Sequence, residues 1–238
     1  MNTTKIEWTD STWNPVTGCT KVSAGCAHCY AERMASRLKA MNIQKYKNGF
    51  SLSLHPESLD EPYSWKKPRM VFVNSMSDLF HKDIDLSYLK KVFNVMNENP
   101  QHCFQVLTKR GDVLEKYHSI LKWTPNIWMG VTIESKDHIG RIKQLAKTDA
   151  VVKFLSCEPL LTPLGRLSLS KIDWVIVGGE SGPGARPMKK EWVEDIHRQC
   201  LDAKVPFFFK QWGGTRKKLA GRLLNGRVYS QMPKKLNG

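Results

Sequence analysis

The sequence predicts an α/β fold, a full or partial (β/α) barrel of mainly parallel strands, on three observations. Short apolar runs bounded by turn residues alternate with stretches in which apolar residues recur every three or four positions. The runs are apolar almost throughout, the signature of parallel strands covered on both faces. Each of six runs finishes in polar or charged residues, and in parallel α/β folds the carboxyl ends of the strands build the functional face.

In chain order the strand runs cover 70–74, 103–107, 127–133, 151–156, 174–177 and 206–209, and the helix-compatible stretches include 86–97, 136–146 and 190–203. Met70-Val-Phe-Val leads into Asn74, Ser75 and Asp78, and Phe104-Gln-Val-Leu leads into Thr108, Lys109 and Arg110. The next four runs end at Glu134, Glu158, Glu180, and Lys210 with Gln211. One mouth thereby collects carboxylates, cations and amides, with Lys109, Arg110, Arg186 and Lys210 as anion contacts. An open doubly wound sheet uses the same alternation, and the charged strand ends favour the barrel.

The chain has 238 residues, 41% of them hydrophobic, with 37 Lys and Arg against 22 Asp and Glu and a net charge of +15. That excludes a disordered chain and predicts one main domain over 1–214. No run of about 18 apolar residues is present, and the first ten residues lack the basic-then-apolar plan of a secretory signal. The expectation is a cytoplasmic protein with no membrane partner. After Asp202 there is no acidic residue, while nine Lys and Arg follow. The segment 215–238 reads as a basic C-terminal extension. Its charge, interleaved nearby with Trp212 and Tyr229, points to nucleic acid or a nucleotide, because neutralised phosphates release counterions. A solvated tail is the alternative.

Three of the six cysteines are clustered: Cys19, Cys26 and Cys29, with six residues and then two between them. Disulfides would need an oxidising compartment, so the cluster points to metal or redox chemistry. Gly18 and Gly25 let the loop wrap tightly. The apolar stripe Ala31, Met34, Ala35, Leu38 and Met41 then places Cys29 where the loop meets a helix, whose N-terminus favours thiolate. Structural zinc wants four ligands, so a Cys₃His site needs His28, or the distant His55 or His81. Three cysteines without a fourth suit a [4Fe–4S] cluster with one iron left open to a small ligand. On the residues alone both stay open.

The cysteine loop resembles that of the radical S-adenosylmethionine superfamily, whose members carry three clustered cysteines after the first strand of a full or partial β/α barrel. The segments Ile6-Glu-Trp-Thr-Asp-Ser-Thr-Trp-Asn-Pro, Cys29-Tyr-Ala-Glu, Phe154-Leu-Ser-Cys-Glu-Pro and Gly178-Gly-Glu-Ser-Gly-Pro-Gly-Ala-Arg-Pro are similar to a phage and prophage protein branch of it. The likeness spans roughly residues 6–214. It implies a [4Fe–4S] cluster on Cys19, Cys26 and Cys29 at the C-terminal mouth, with S-adenosyl-L-methionine chelated by the open iron. Reductive cleavage to a 5′-deoxyadenosyl radical would follow, with an electron donor such as flavodoxin or ferredoxin as partner. The spacing departs from the usual three-then-two, and His28 fills a place that is commonly aromatic. The usual Gly-Gly-Glu after the second strand is replaced by Asn74-Ser-Met-Ser-Asp78, and Gly178-Gly179-Glu180 comes about a hundred residues later.

On physical grounds Ser75, Ser77 and Asp78 are the candidates to hold the amino-acid end of the cofactor. Glu134, Gly178, Gly179 and Glu180 complete the cofactor-binding set, the glycines by admitting a close backbone approach. Cys157, Glu158 and Lys109 are the candidate catalytic residues, Cys157 as a hydrogen-atom donor, the role a cysteine plays in spore photoproduct lyase relatives. A small buried hydrophobe is the ordinary reading of such a cysteine. The leading function is a radical enzyme modifying or repairing nucleic acid or a nucleotide. The alternatives are a zinc- or cluster-stabilised nucleic-acid-binding protein without catalysis, and a hydrolase holding divalent metal on Asp78, Glu134, Glu158 and Glu180.

Overall fold

The computed structural model describes Thr4 and residues 6–233, with every side chain among them except those of Lys217 and Lys218; Lys234 and Lys235 of the basic segment lie outside the described residues. Seven strands form one sheet: β1 (Ser11–Trp13), β2 (Met70–Val73), β3 (Cys103–Thr108), β4 (Ile127–Thr132), β5 (Val152–Cys157), β6 (Trp174–Gly178) and β7 (Phe207–Gln211). They lie side by side in chain order, each parallel to the next. The result is a curled half-barrel whose edges, β1 and β7, do not pair with each other. The six predicted runs coincide with β2 to β7 to within two residues at either end. Strand β1 has three residues, two of them polar, and no apolar run announces it.

The helices are α1 (Tyr30–Ala40), α2 (Leu86–Glu98), α3 (Gly111–Tyr117), α4 (Gly140–Leu145), α5 (Lys190–Asp202) and the short α6 (Lys217–Ala220). Helix α5 shows why these segments coil: Val193, Ile196 and Cys200, spaced three and four apart, are buried on one stripe. The stretch predicted over 136–146 is divided into a 3₁₀ turn at Lys136–His138 and then α4. In α1 the expected stripe is narrower than its pattern. Ala31 and Ala35 are buried and Leu38 packs beside them against Tyr46 and Met76, whereas Met34 and Met41 are 41% and 58% exposed.

Strand residues alternate between two cores. Val71, Val73, Phe104, Val106, Met129, Val131, Leu155, Val175 and Val177 pack against Leu89, Val92, Phe93, Leu114, Ile142, Val193 and Ile196 of the helices. The opposite face is aromatic: Trp8, Trp128, Phe154, Trp174 and Phe208 form its centre. Trp174 makes edge-on contacts with Trp8, Trp128 and Phe208 at centroid distances of 6.2, 6.3 and 6.0 Å. Gly130 is required there, because a Cβ on it would lie 2.4 Å from the Phe154 ring.

The last described residues return along β7. Phe209 N donates to Tyr229 O at 3.0 Å, Gln231 N donates to Phe207 O at 3.2 Å, and Trp174 Nε1 donates to Gln231 O at 2.8 Å. Leu224 is fully buried, and Arg222 stacks on Phe208. This part of the basic segment covers the edge of β7, whose unpaired backbone would otherwise be open to another chain.

Candidate functional site

A cavity of about 570 Å³ is lined by residues from the carboxyl ends of β2 to β7 and by the cysteine loop. Cys19, Cys26 and Cys29 all border it, as do Asn74, Ser75, Ser77, Asp78, Lys109, Ser156, Glu158, Gly179, Glu180 and Lys210. Ten of the thirteen predicted site residues thus face one space. The physical cause is the parallel sheet, which delivers every strand's carboxyl end to the same rim. Trp8, Phe72 and Leu107 form an apolar part of the wall.

Cys29 occupies the residue before α1, with Ala31 and Ala35 fixing the helix behind it. The loop before it is held from both sides. On one side Arg110 Nη2 donates to Thr20 O at 3.0 Å and to Thr20 Oγ1 at 2.8 Å, and approaches Cys19 Sγ at 3.9 Å. On the other, Arg186 Nη2 donates to Ala24 O at 2.9 Å while its Nε and its backbone N–H donate to Glu180 Oε2 at 2.8 and 2.9 Å. His28 Nδ1 meets the same Glu180 oxygen at 3.1 Å. Burial pushes the Glu180 carboxyl up, but the Arg186 and His28 contacts more than offset it and hold its pKa at about 2.

Three predicted residues lie off the cavity wall. Glu134 is fully buried: Arg141 Nη1 donates to it at 2.7 Å and Ser23 Oγ hydrogen-bonds it from the cysteine loop. A Cβ on Gly25 would lie 3.0 Å from its Oε1, so Glu134 is the post against which that loop rests. Burial works against its charge, and Lys109, Ser23 and Arg141 still hold its pKa below the usual carboxylate range. Gly178 sits behind the rim, where a Cβ would press on Glu158 and Lys210. Cys157 points into the helix-side core near Cys200; burial drives its pKa far up. Its neighbour Ser156 takes the cavity side, because successive strand residues face opposite ways.

Sequence reading did not single out Asn14, Arg141 or Asn74 as functional. Asn14 Oδ1 accepts from Ser75 Oγ and Met76 N at 3.2 and 3.1 Å and so shapes the turn after β2. Asn74, at φ 58°, accepts at Oδ1 from Val16 N at 3.3 Å, while its buried Nδ2 has no hydrogen-bond partner among the described residues. Left-handed backbone is a conformation Asn tolerates, and Asn74 following the apolar run was the signal available.

The geometry separates the possible metal sites. Each candidate carboxylate has its own cation: Asp78 with Arg110 at 4.0 Å, Glu134 with Arg141, Glu158 with Lys210 at 2.7 Å, and Glu180 with Arg186. The histidines offered for a zinc site are engaged too, His55 by Thr17 and Glu57, His81 by Thr20 and the Asp83 N–H, and His28 by Glu180. Among the described residues no group of three or more His, Cys, Asp or Glu converges on a point where one metal ion would sit. Four donors around one zinc stand within about 4 Å of each other. The cysteines share a cavity without that convergence. Their thiols carry protons at neutral pH in the case of Cys19, whose pKa burial and Asp78 raise to about 11, so ligation there would release a proton.

A family model described as "Protein of unknown function (DUF5131)" matches residues 3–233, and the chain belongs to that family. No curated protein matches it. Among solved structures it is similar to spore photoproduct lyase complexed with dinucleoside spore photoproduct, at 12% identity and a TM-score of 0.48, covering 83% of this chain and 62% of that one. It is also similar to a mutant spore photoproduct lyase with bound AdoMet and dinucleoside spore photoproduct, at 11% identity and a TM-score of 0.46 with the same coverage. The chain therefore spans less than two thirds of those proteins. Among the described residues no helix is long and apolar enough to cross a membrane.

Proposed function

We propose that this protein is a radical S-adenosylmethionine enzyme that holds a [4Fe–4S] cluster on Cys19, Cys26 and Cys29 at the mouth of the half-barrel and modifies nucleic acid or a nucleotide. The observation that carries the reading is that the three cysteines border one cavity with the polar ends of six parallel strands. Three cysteines without a fourth protein ligand suit a cluster with one open iron better than a four-ligand zinc site. When bound, the cluster and S-adenosylmethionine supply one-electron cleavage of the cofactor to methionine and a 5′-deoxyadenosyl radical.

The chain's own residues position and shield. Arg110, Glu134 and the Glu180–Arg186 pair fix the cysteine loop from three directions. The free Nδ2 of Asn74, with Ser75 and Ser77 beside it, is a donor placed for a carboxylate, the group at the amino-acid end of the cofactor. Trp8, Phe72 and Leu107 keep part of the cavity dry. Lys109 borders the cavity; its charge favours the ionised Glu134, but no carboxylate among the described residues pairs with it within 4 Å, which leaves its ammonium placed to meet a phosphate. The net charge of +15 supports a polyanionic substrate.

The test is anaerobic purification with iron, sulfide and zinc analysis, electron paramagnetic resonance with and without S-adenosylmethionine, and an assay for 5′-deoxyadenosine. About four irons per chain, a spectrum altered by the cofactor and its reductive cleavage are expected. One zinc and no iron after reconstitution would overturn the reading.

A further inference from the structure

Glu158 and Lys210 form an ion pair in the cavity wall, both members of which border the cavity. Lys210 Nζ donates to both Glu158 oxygens, at 2.7 and 3.0 Å, and the side chains are only 14% and 21% exposed. The two come from β7 and from the end of β5, across β6, and they fit side by side because Gly178 lies between them: a Cβ there would stand 3.3 Å from Glu158 Cδ and 3.4 Å from Lys210 Cβ. Two of the three ammonium hydrogens are spent on Glu158, which leaves one donor, while each carboxylate oxygen keeps a lone pair. The pair therefore presents a donor beside an acceptor and no net charge.

That arrangement selects a ligand. A phosphate or carboxylate would meet the Glu158 charge, and an ammonium would meet Lys210. A planar ring edge with an N–H next to a carbonyl or ring-nitrogen acceptor matches both groups without breaking the pair. Low exposure strengthens both hydrogen bonds. The same cavity is bordered by apolar rings, Trp8 and Phe72 packed edge to face with centroids 4.7 Å apart, against which such a ring can pack.

Resting on the reading of this cavity as a nucleic-acid or nucleotide site, we propose that Glu158 and Lys210 bind the hydrogen-bonding edge of the substrate's nucleobase, so that the protein recognises the base rather than its phosphate here. The pair is a substrate-binding element, distinct from the cysteine loop and from the turn after β2.

Equilibrium binding by calorimetry to the anaerobically purified full chain tests this without requiring turnover. The probes are uridine, guanosine, 3-methyluridine, which lacks the ring N–H, and ribose 5-phosphate, which lacks the base. At least one nucleoside is expected to bind about tenfold or more tightly than ribose 5-phosphate, and for uridine the N3 methyl group should cost about tenfold. Glu158→Gln and Lys210→Met should each cut these ratios to under about twofold, with thermal unfolding checking that they fold; the double exchange E158K with K210E serves where either does not. Binding of ribose 5-phosphate as tight as any nucleoside, no nucleoside binding, or, where uridine is the nucleoside bound, equal binding of uridine and 3-methyluridine would overturn the proposal. So would displacement of the nucleoside by S-adenosylmethionine, which would give the pair to the cofactor. Because cofactor cleavage is measured separately, failure of base recognition and failure of the radical reading give different results.

Discussion

Arg186 grips Glu180 with two prongs, Nε to Oε2 at 2.8 Å and Nη2 to Oε1 at 2.5 Å, and with the same guanidinium reaches Ala24 O inside the cysteine loop. The ion pair is thus a tie between the end of β6 and the segment that carries Cys26. Replacing Arg186 with Ala leaves a nearly buried carboxylate without its cation and frees the loop. We expect a loss of about 1–3 kcal/mol, since Arg186 itself is one-third exposed, together with faster amide exchange at residues 23–28. Unchanged exchange in that loop would show that the tie does not hold it.

The same pair sets a pH dependence. Glu180 has a folded pKa of about 2 against an ordinary 4.5, so the unfolded chain binds the proton more readily. Its contribution to stability is complete above about pH 4.5 and is lost as the pH falls toward 2, and it amounts to about 2 kcal/mol after discounting for solvent around Arg186. Urea unfolding of the parent and Glu180→Gln should therefore differ at pH 6 and converge near pH 2. A gap that is constant with pH would remove the assignment.

Glu134 is expected to be the costliest carboxylate to remove. It is fully buried, and Ala in its place would leave Arg141 in the interior with no counter-charge. The expected loss is about 3–5 kcal/mol for Glu134→Ala and clearly less for Glu134→Gln, which keeps an acceptor for the guanidinium. Equal losses in urea titrations of the two variants would mean that shape, not charge, is what matters there.

Cys157 and the loop cysteines separate structure from chemistry. Cys157→Ala changes a side chain packed between sheet and helices, so it should cost about 1 kcal/mol and leave cofactor cleavage within about twofold of the parent. On the proposed radical reading, alanine at Cys19, Cys26 or Cys29 should abolish iron retention while the far-ultraviolet circular dichroism is kept. A Cys157 variant that cleaves the cofactor but loses product formation would restore that residue to the reaction through a conformation other than this one.

Much of this fold is legible in local sequence, and the limits are physical. Strands β2 to β7 announce themselves because a strand buried on both faces must be apolar along its length, and Asp78, Lys109, Glu158 and Glu180 follow as rim residues. Which of two adjacent residues faces the rim depends on register, and one step of parity moves the inward place from Cys157 to Ser156. Asn14 is joined to Ser75 across 61 residues, a pairing that only the tertiary fold creates. The short β1 escapes pattern reading because Ser11 and Thr12 carry little hydrophobic signal, and the stripe of α1 is read too wide because the exposed Met34 and Met41 are as apolar in sequence as a buried residue.

The chain after Trp212 is basic, yet part of it acts as a cover. Tyr229 and Gln231 hydrogen-bond along β7, His197 lies between Phe207 and Tyr229 at 4.7 and 4.4 Å, and Leu224 is fully buried. Truncation after residue 221 would uncover an apolar edge strand and open a cavity where Leu224 packed. We expect a stability loss of about 2–4 kcal/mol and concentration-dependent association by light scattering. A truncated chain as stable and monomeric as the parent would mean that the segment is held by the fold without supporting it.

Asn74 gives the sharpest test of the proposed cofactor site. Its Oδ1 is committed to Val16 N–H, its backbone is left-handed, and its Nδ2 is a buried donor with no partner among the described residues. Asn74→Asp keeps the Val16 bond and a residue that tolerates this backbone, and changes only the free donor into a charged acceptor. If that donor meets the carboxylate of S-adenosylmethionine, the variant should fold normally and bind the cofactor about tenfold or more weakly, while binding of a nucleoside is unaffected. Ala at this position would confuse the result, because it would strain at φ 58° and strand the Val16 N–H. Calorimetric titration with S-adenosylmethionine decides: undiminished affinity in Asn74→Asp would place the amino-acid end of the cofactor elsewhere on the rim.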